Sequence, residues 1–317
     1  MISLKRFSLF MATIAFTLTS AVCVFAQQPV AVKPIRPSQK ASVMQTFGVT
    51  DITITYSRPG VKGRTIFADA PASMEERAKG EATLDNQNER KPGEPIVPYN
   101  HVWRAGANEA TLFQVTDDVL INGQPLKAGS YSLHAIPGKD EWTIIFNSDP
   151  GQWGSFAYDS KKDTLRVKTK PQTASDNQEW LLYTIEPLDA SSARVNIRWE
   201  KLTVPFTVAV KDVKALWRAK ADAVIAANPT NEQLTRQVAL AYLTDKNYDE
   251  ALKFIDQSIK VKETFQNLSS KANILWAAGK KDEAITVGDA AIAKGKADKA
   301  NTAAFEKRVA DMKAGKL

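Results

Sequence analysis

From about Ser42 to Val210 apolar and polar side chains alternate with a period of two, which predicts half-buried strands. Ile52, Ile54 and Tyr56 alternate with Thr53 and Thr55, and Val195, Ile197 and Trp199 with Asn196 and Arg198. Leu202, Val204, Phe206 and Val208 repeat the pattern. Pro205 removes a ladder donor among them and predicts a sheet edge. Asn122-Gly123 falls between two apolar runs and predicts a tight hairpin, because both residues tolerate positive φ. Gly129, Pro137-Gly138 and Pro150-Gly151 punctuate the next apolar runs. About ten short strands without intervening helical periodicity predict an antiparallel β-sandwich or barrel.

Residues 69–95 break the rhythm, with no aromatic side chain and many charges. A short helical turn at Ser73-Met74-Glu75-Glu76-Arg77 is expected there, in an insertion or lid that adds little core. Beyond Lys211 the period becomes helical, with apolar residues recurring three and four apart, as at Val238 and Tyr242 and at Leu252, Ile255 and Ile259, and with Leu216 and Ile225 before them. Asn228-Pro229-Thr230 ends one helix and offers Thr230 as the cap of the next, with Gln233 three residues on. Ala239, Tyr242, Tyr248 and Ala251 recur 33 residues later as Ala272, Leu275, Lys281 and Ala284. This resembles the tetratricopeptide repeat over residues 232–296, departing from it at Lys281 and Gly288. Helices near 213–227 and 302–313 are expected to cap the pair.

The first 26 residues read as a secretory signal. Lys5 and Arg6 precede an uncharged apolar run from Phe7 to Phe25, and Val24-Phe25-Ala26 suits cleavage after Ala26. A retained anchor is the alternative, but Gln27-Gln28-Pro29 supplies no charge to stop transfer. Three parts are expected: a signal peptide at 1–26, a β domain at 27–210 with the insertion at 69–95, and a helical repeat domain at 211–317. The expected address is secreted, periplasmic or cell envelope, with no membrane span once the signal is removed. Hydrophobic residues at 44% and charged residues at 24% of 317 exclude a mainly disordered chain. The net charge of +7 is spread along the sequence, which argues against a nucleic-acid partner. Two histidines and one cysteine exclude zinc-finger, iron–sulfur and disulfide frameworks, so no cofactor or metal is expected.

The β half carries ordered motifs: Arg36-Pro37-Ser38, residues 55–64, 97–111, 126–133 and 141–147, and Arg198-Trp199-Glu200-Lys201. Over residues 36–210 these resemble a family of secreted bacterial proteins catalogued as domain of unknown function 2911. The resemblance implies a secreted β domain, sometimes followed by helical repeats, without an assigned activity. The 69–95 insertion and His101 stand as departures from the family's usual pattern.

No nucleophile elbow, Walker loop or dinucleotide fingerprint is present. Gly60 and Gly63 around Lys62 read as a tight turn set by Pro59-Gly60. His101 and His134 with Glu109 have no metal-ligand spacing. His134 points away from the apolar face of its strand and reads as a surface or hydrogen-bonded residue. Trp142, Trp153, Phe156 and Tyr158 read as core more readily than as an aromatic platform.

The strongest polar concentration is Arg58, Lys62 and Arg64 with Trp103, Arg104, Asn108 and Glu109. Its cations can grip an anion, Trp103 can face a sugar, and Asn108 can donate and accept. Equally, Arg104 can pair with Glu109, Trp103 can be core and Asn108 can brace a turn. The expected function is therefore a binding or scaffolding protein. A peptide or protein partner would lie in the helical groove, and the β domain would hold a small anionic or sugar ligand. The alternative is a periplasmic enzyme acting on an anionic or sugar substrate in a cleft of the β domain.

Overall fold

The computed structural model describes residues 35–76, 84 and 90–317. The expected signal peptide at 1–26 and Arg77 of the expected helical turn lie outside the described residues.

Two antiparallel sheets share one core. The larger has six strands, in the order β1 (Gln39–Phe47), β2 (Thr50–Arg58), β5 (Thr111–Val115), β8 (Gly129–Ile136), β9 (Trp142–Asn147) and β10 (Asp163–Thr169). The smaller runs β11 (Gln172–Pro187), β12 (Ser192–Ala209), β6 (Val119–Ile121) and β7 (Gln124–Leu126). Between β2 and β5, β3 (Phe67–Ala68) pairs with β4 (Val97–Pro98) in parallel. The alternating apolar positions explain the core. Ile52, Ile54, Phe113 and Phe146 come from one sheet and Tyr183, Ile197, Trp199 and Phe206 from the other, all at most 2% exposed. Phe146 meets Phe113 and Phe206 edge-on, at 5.0 and 5.9 Å between centroids. Each such buried side chain contributes roughly 1.5–3 kcal/mol.

Asn122-Gly123 forms the expected hairpin turn, with φ of 46° and 81°. Pro205 does not mark an edge, because β12 lies between β11 and β6. Pairing with β11 ends at Thr203 and pairing with β6 begins at Val208, so the proline occupies a gap where no ladder donor is needed. In the 69–95 segment, α1 (Ala72–Glu75) forms at the expected turn. Met74 and Leu84 are both fully buried, but neither joins the core between the sheets.

After the sheets come α2 (Val213–Ala227), α3 (Glu232–Thr244), α4 (Tyr248–Val261), α5 (Phe265–Ala277), α6 (Lys281–Ala297) and α7 (Ala303–Lys313). α3 packs on α4, α5 on both α4 and α6, and α7 on α6. The helix starts Glu232 and Phe265, and Tyr248 and Lys281, repeat the 33-residue offset. Ala239, Ala251, Ala272 and Ala284 are all fully buried, and their small side chains permit close approach. Gly288 departs from the pattern where α7 crosses, since a Cβ there would come within 2.8 Å of Val309. The cap of α3 is Asn231, which accepts from the Leu234 amide at 3.0 Å, and not Thr230. Asparagine sits one residue closer to the first helical turn and caps as well as threonine or better. Among the described residues no helix is long and apolar enough to cross a membrane.

α2 fastens the helices to the sheets. Val213 and Leu216 pack against the sheet core. Lys220 Nζ donates to the Val49 carbonyl at 2.8 Å and to Asp117 at 2.7 Å. Burial would raise the Asp117 carboxyl, but hydrogen bonds from Lys220, Thr116 and Thr50 hold it below its ordinary value.

Candidate functional site

An open cleft of about 390 Å³ lies where β3, the chain just after β4, the β8–β9 turn and the β11–β12 pair meet. Phe67 and Trp142 give it an aromatic wall, and Tyr99, Asn177, Glu200 and Lys201 supply polar groups. A break in the β11–β12 ladder positions two of these. Gln178 pairs with Glu200, but the register shifts on both sides of that pair, toward Thr173 and toward Leu182. The extra β11 residues bulge outward, placing Asn177 in the cleft on one side and Glu179 and Trp180 against the 59–64 turn on the other. Glu200 itself adopts φ 51°, a left-handed conformation costing a side-chain-bearing residue about 1–2 kcal/mol. Bulges and left-handed residues of this kind re-aim side chains and cluster at functional sites.

The wall is rigid. Phe67 meets Trp142, Trp199 and Trp103 edge-on at 5.2, 5.9 and 6.1 Å, and Trp103 stacks on Trp199 at 6.0 Å. Trp142 is 1% exposed, and its indole N–H meets no acceptor among the described residues. The cleft's polar groups are equally unengaged. No hydrogen bond or ion pair between described residues reaches the Tyr99 hydroxyl, the Asn177 amide, the Glu200 carboxyl or the Lys201 ammonium. Lys139 at the rim differs, pairing with Asp69 at 2.7 Å. Burial pushes the Glu200 carboxyl above its ordinary value, and burial with Asp69 nearby raises the Tyr99 hydroxyl. The result is a half-apolar cleft with donors and acceptors facing a ligand-sized space.

The seven residues singled out from the sequence lie elsewhere, none lining this cleft, and form two sets. Arg58, Lys62 and Arg64 flank the turn that docks on β11. Arg58 Nε donates to the Leu181 carbonyl at 2.9 Å, and the Lys62 amide donates to Glu179 at 2.9 Å. Arg64 donates to the carbonyls of Val61 and Gly60, closing its own turn. The turn's left-handed residues are Lys62 and Gly63, at φ 51° and 68°, rather than Pro59-Gly60. The second set builds the loop before β5. Trp103 is core, its indole donating to the Gly106 carbonyl at 3.1 Å. Arg104 donates to the Asn108 carbonyl at 2.9 Å, and Asn108, at φ 61°, donates to the Ser38 carbonyl at 3.1 Å. Glu109 bridges to Trp153 and borders a smaller cavity of about 140 Å³ beside Lys40 and Ser57.

His134 is fully buried, not at the surface, because the 148–159 loop folds back over that face of the sheet. Its ring lies 5.0 Å from that of Tyr158, whose hydroxyl donates to Asp163 at 2.8 Å. Asn147 and Arg166 also donate to Asp163, so a polar brace holds the loop down. On the same loop Trp153 and Phe156 are 52% and 57% exposed, whereas Trp142 is core as expected. His101 faces Glu75 at 3.7 Å. Among the described residues no group of three or more histidine, cysteine and acidic side chains is arranged to hold a metal.

Of the cleft-lining groups, Tyr99, Asn177 and Glu200 do not stand out by charge or composition. Tyr99 and Glu200 lie within the ordered motifs of the β half, which is a signal. Asn177 has none, since its position depends on a bulge.

Fold and cleft together define a two-sheet antiparallel protein with C-terminal helices and an open, half-polar cleft at a broken strand pair. The chain belongs to the family described as Protein of unknown function (DUF2911), whose model matches residues 38–79 and 84–208, just over half of the chain. The match runs through most of 69–95 and breaks only at 80–83, so most of the expected insertion is part of the family pattern. No curated protein and no solved structure matches the chain.

Proposed function

We propose that this is a secreted, periplasmic or cell-envelope binding protein whose β half, a β-sandwich, holds a sugar or sugar acid in the Glu200 cleft. The observation that carries the reading is the coincidence of unengaged polar groups with a part-exposed aromatic wall. Phe67 and Tyr99 offer apolar surface to a sugar ring, and Asn177, Glu200 and Lys201 match its hydroxyls and any carboxylate. The cations singled out from the sequence are a weaker candidate, since Arg58 and Arg64 already donate to backbone carbonyls. Helices α3–α6 form two tetratricopeptide-like repeats, supported by the 33-residue offset and the buried alanine pairs, with α2 and α7 as caps. Their role is contact with a peptide or protein partner. The uncharged run from Phe7 to Phe25, with small residues before Gln27, supports export.

Thermal melts against a panel of neutral sugars and sugar acids test the cleft. At least one class is expected to raise the melting temperature of the parent protein, and Asn177→Ala with Glu200→Gln to abolish the rise while leaving the unliganded melt nearly unchanged. A rise that survives both substitutions would place the ligand elsewhere.

Glu200 also favours a second reading, an enzyme on the same substrate class. A carboxyl whose ionisation burial delays can serve as a proton donor beside a bound sugar. Loss of turnover with retained binding in Glu200→Gln would support it; retained turnover would exclude Glu200 as that donor.

A further inference from the structure

Another cavity lies at the junction of sheets and helices. It has a volume of about 380 Å³, within the range of roughly 300–1,000 Å³ typical of small-molecule sites. Its walls are the Gly48-Val49 turn between β1 and β2, the first two turns of α2, and the end of α3. Both walls are held in place. A Cβ on Gly48 would come within 2.7 Å of Val213, so glycine permits the turn to touch the helix. Lys220 ties the Val49 carbonyl to α2 from the other side. Trp217 and Tyr242 meet edge-on at 5.1 Å, and Tyr242 stacks on Phe254 at 5.3 Å, so the aromatic surface is pre-organised.

Most of the lining is apolar, and its charges are unequal. Lys214 is neutralised by Asp245 at 2.8 Å. Arg218, also in the lining, has no hydrogen-bond or ion-pair partner among the described residues. Asp222, one turn along α2, and Glu250 act on Tyr242 together with Arg218, so the groove is not simply cationic. Arg218 is nonetheless the one charged donor of the lining without a direct partner among the described residues, and at an apolar wall such a guanidinium complements an apolar molecule bearing one anionic head better than a cationic one. We propose that this groove binds a small apolar carboxylate, its alkyl or aryl body against Trp217 and Tyr242 and its carboxylate on Arg218. The site is independent of the Glu200 cleft.

The test uses the protein with octanoate and 4-phenylbutyrate as probes and octylamine as the opposite-charge control. The indole N–H resonance of Trp217, identified by its loss in Trp217→Phe, reports occupancy, and calorimetry gives the affinity. Both carboxylates are expected to shift that resonance, and octylamine to leave it still. Arg218→Gln should weaken carboxylate binding about tenfold or more, because a charge-assisted contact is lost. Arg218 lies on an exposed helix surface, so an unchanged circular-dichroism melt should confirm that the variant is folded, and Arg218→Lys should recover part of the affinity. The proposal is overturned if neither carboxylate moves Trp217, if octylamine binds equally well, or if folded Arg218→Gln binds as tightly as the parent.

Discussion

Between the sheets the space is filled by large side chains, Trp142, Trp199, Phe113, Phe146 and Phe206 among them, whereas small residues, Ala239, Ala251, Ala272, Ala284, Gly288 and Gly295, are buried between the helices, and a Cβ on either glycine would meet a neighbouring side chain. Sheets pack about 10 Å apart and need bulk to fill the gap. Helices approach to about 8–10 Å between axes, and small residues at the contact permit the short end of that range. The two halves therefore fail in opposite ways, by cavity in one and by overpacking in the other. They also make their cavities differently. The Glu200 cleft exists because a strand pair breaks register, and the junction groove because Gly48 lets a turn touch a helix.

The largest effect is expected on the sheet side. Trp199→Ala removes a ring stacked on Trp103 and edge-on to Phe67, and should cost about 3–5 kcal/mol in denaturant titrations. A loss under about 1 kcal/mol would mean the aromatic wall is not a unit. On the helical side the reverse substitution is the informative one. Ala239→Leu should destabilise by about 1–3 kcal/mol through overpacking. If leucine is accommodated there without loss, the close-approach account of the helices is wrong.

The junction responds to pH. Asp117 is held below its ordinary value of 3.8 when folded, so its contribution is fully present above the unfolded value and is lost as pH falls through the lower, folded one. Asp117→Asn should cost about 1.5–3 kcal/mol at neutral pH, the range for a hydrogen bond to a charged group. The difference from the parent should shrink below about pH 3.8. Equal differences at pH 7 and pH 3 would remove Lys220–Asp117 as the fastening. The smallest effect is expected at the 59–64 turn. Lys62→Gly relieves a left-handed side chain at the expense of chain entropy and of the ammonium's contact over the Trp180 ring at 5.5 Å, and the opposing effects nearly cancel, leaving stability within about 0.5 kcal/mol of the parent.

Local chemistry is legible in the sequence wherever one residue decides it. Asn122-Gly123 specifies its turn, the alternation specifies the strands, and the alanine spacing specifies the helix offset. Long-range placement is not legible. Pro205 reads as an edge residue, but no local pattern shows where two neighbouring strands stop short of it. Alternation puts His134 on the correct face of its strand, yet the loop that covers that face belongs to residues 148–159. Trp153 and Phe156 look like core by type, and only the polar brace beneath their loop leaves them facing outward. The cleft suffers from the same limit. Arg58 and Arg104 stand out by charge, but backbone carbonyls engage them, whereas Asn177 and Glu200 are ordinary residues placed by a register shift.

If the broken β11–β12 pair builds a ligand site, the indole N–H of Trp142 reports its occupancy. Nitrogen–proton spectra of the protein, with the seven tryptophans assigned by substitution, should be recorded while neutral sugars and sugar acids are added. A binding sugar should shift the Trp142 indole more than those of Trp153 and Trp180, and Asn177→Ala should suppress the shift. A ligand site there is contradicted if every ligand that binds leaves Trp142 unmoved, or perturbs Trp153 or Trp180 first.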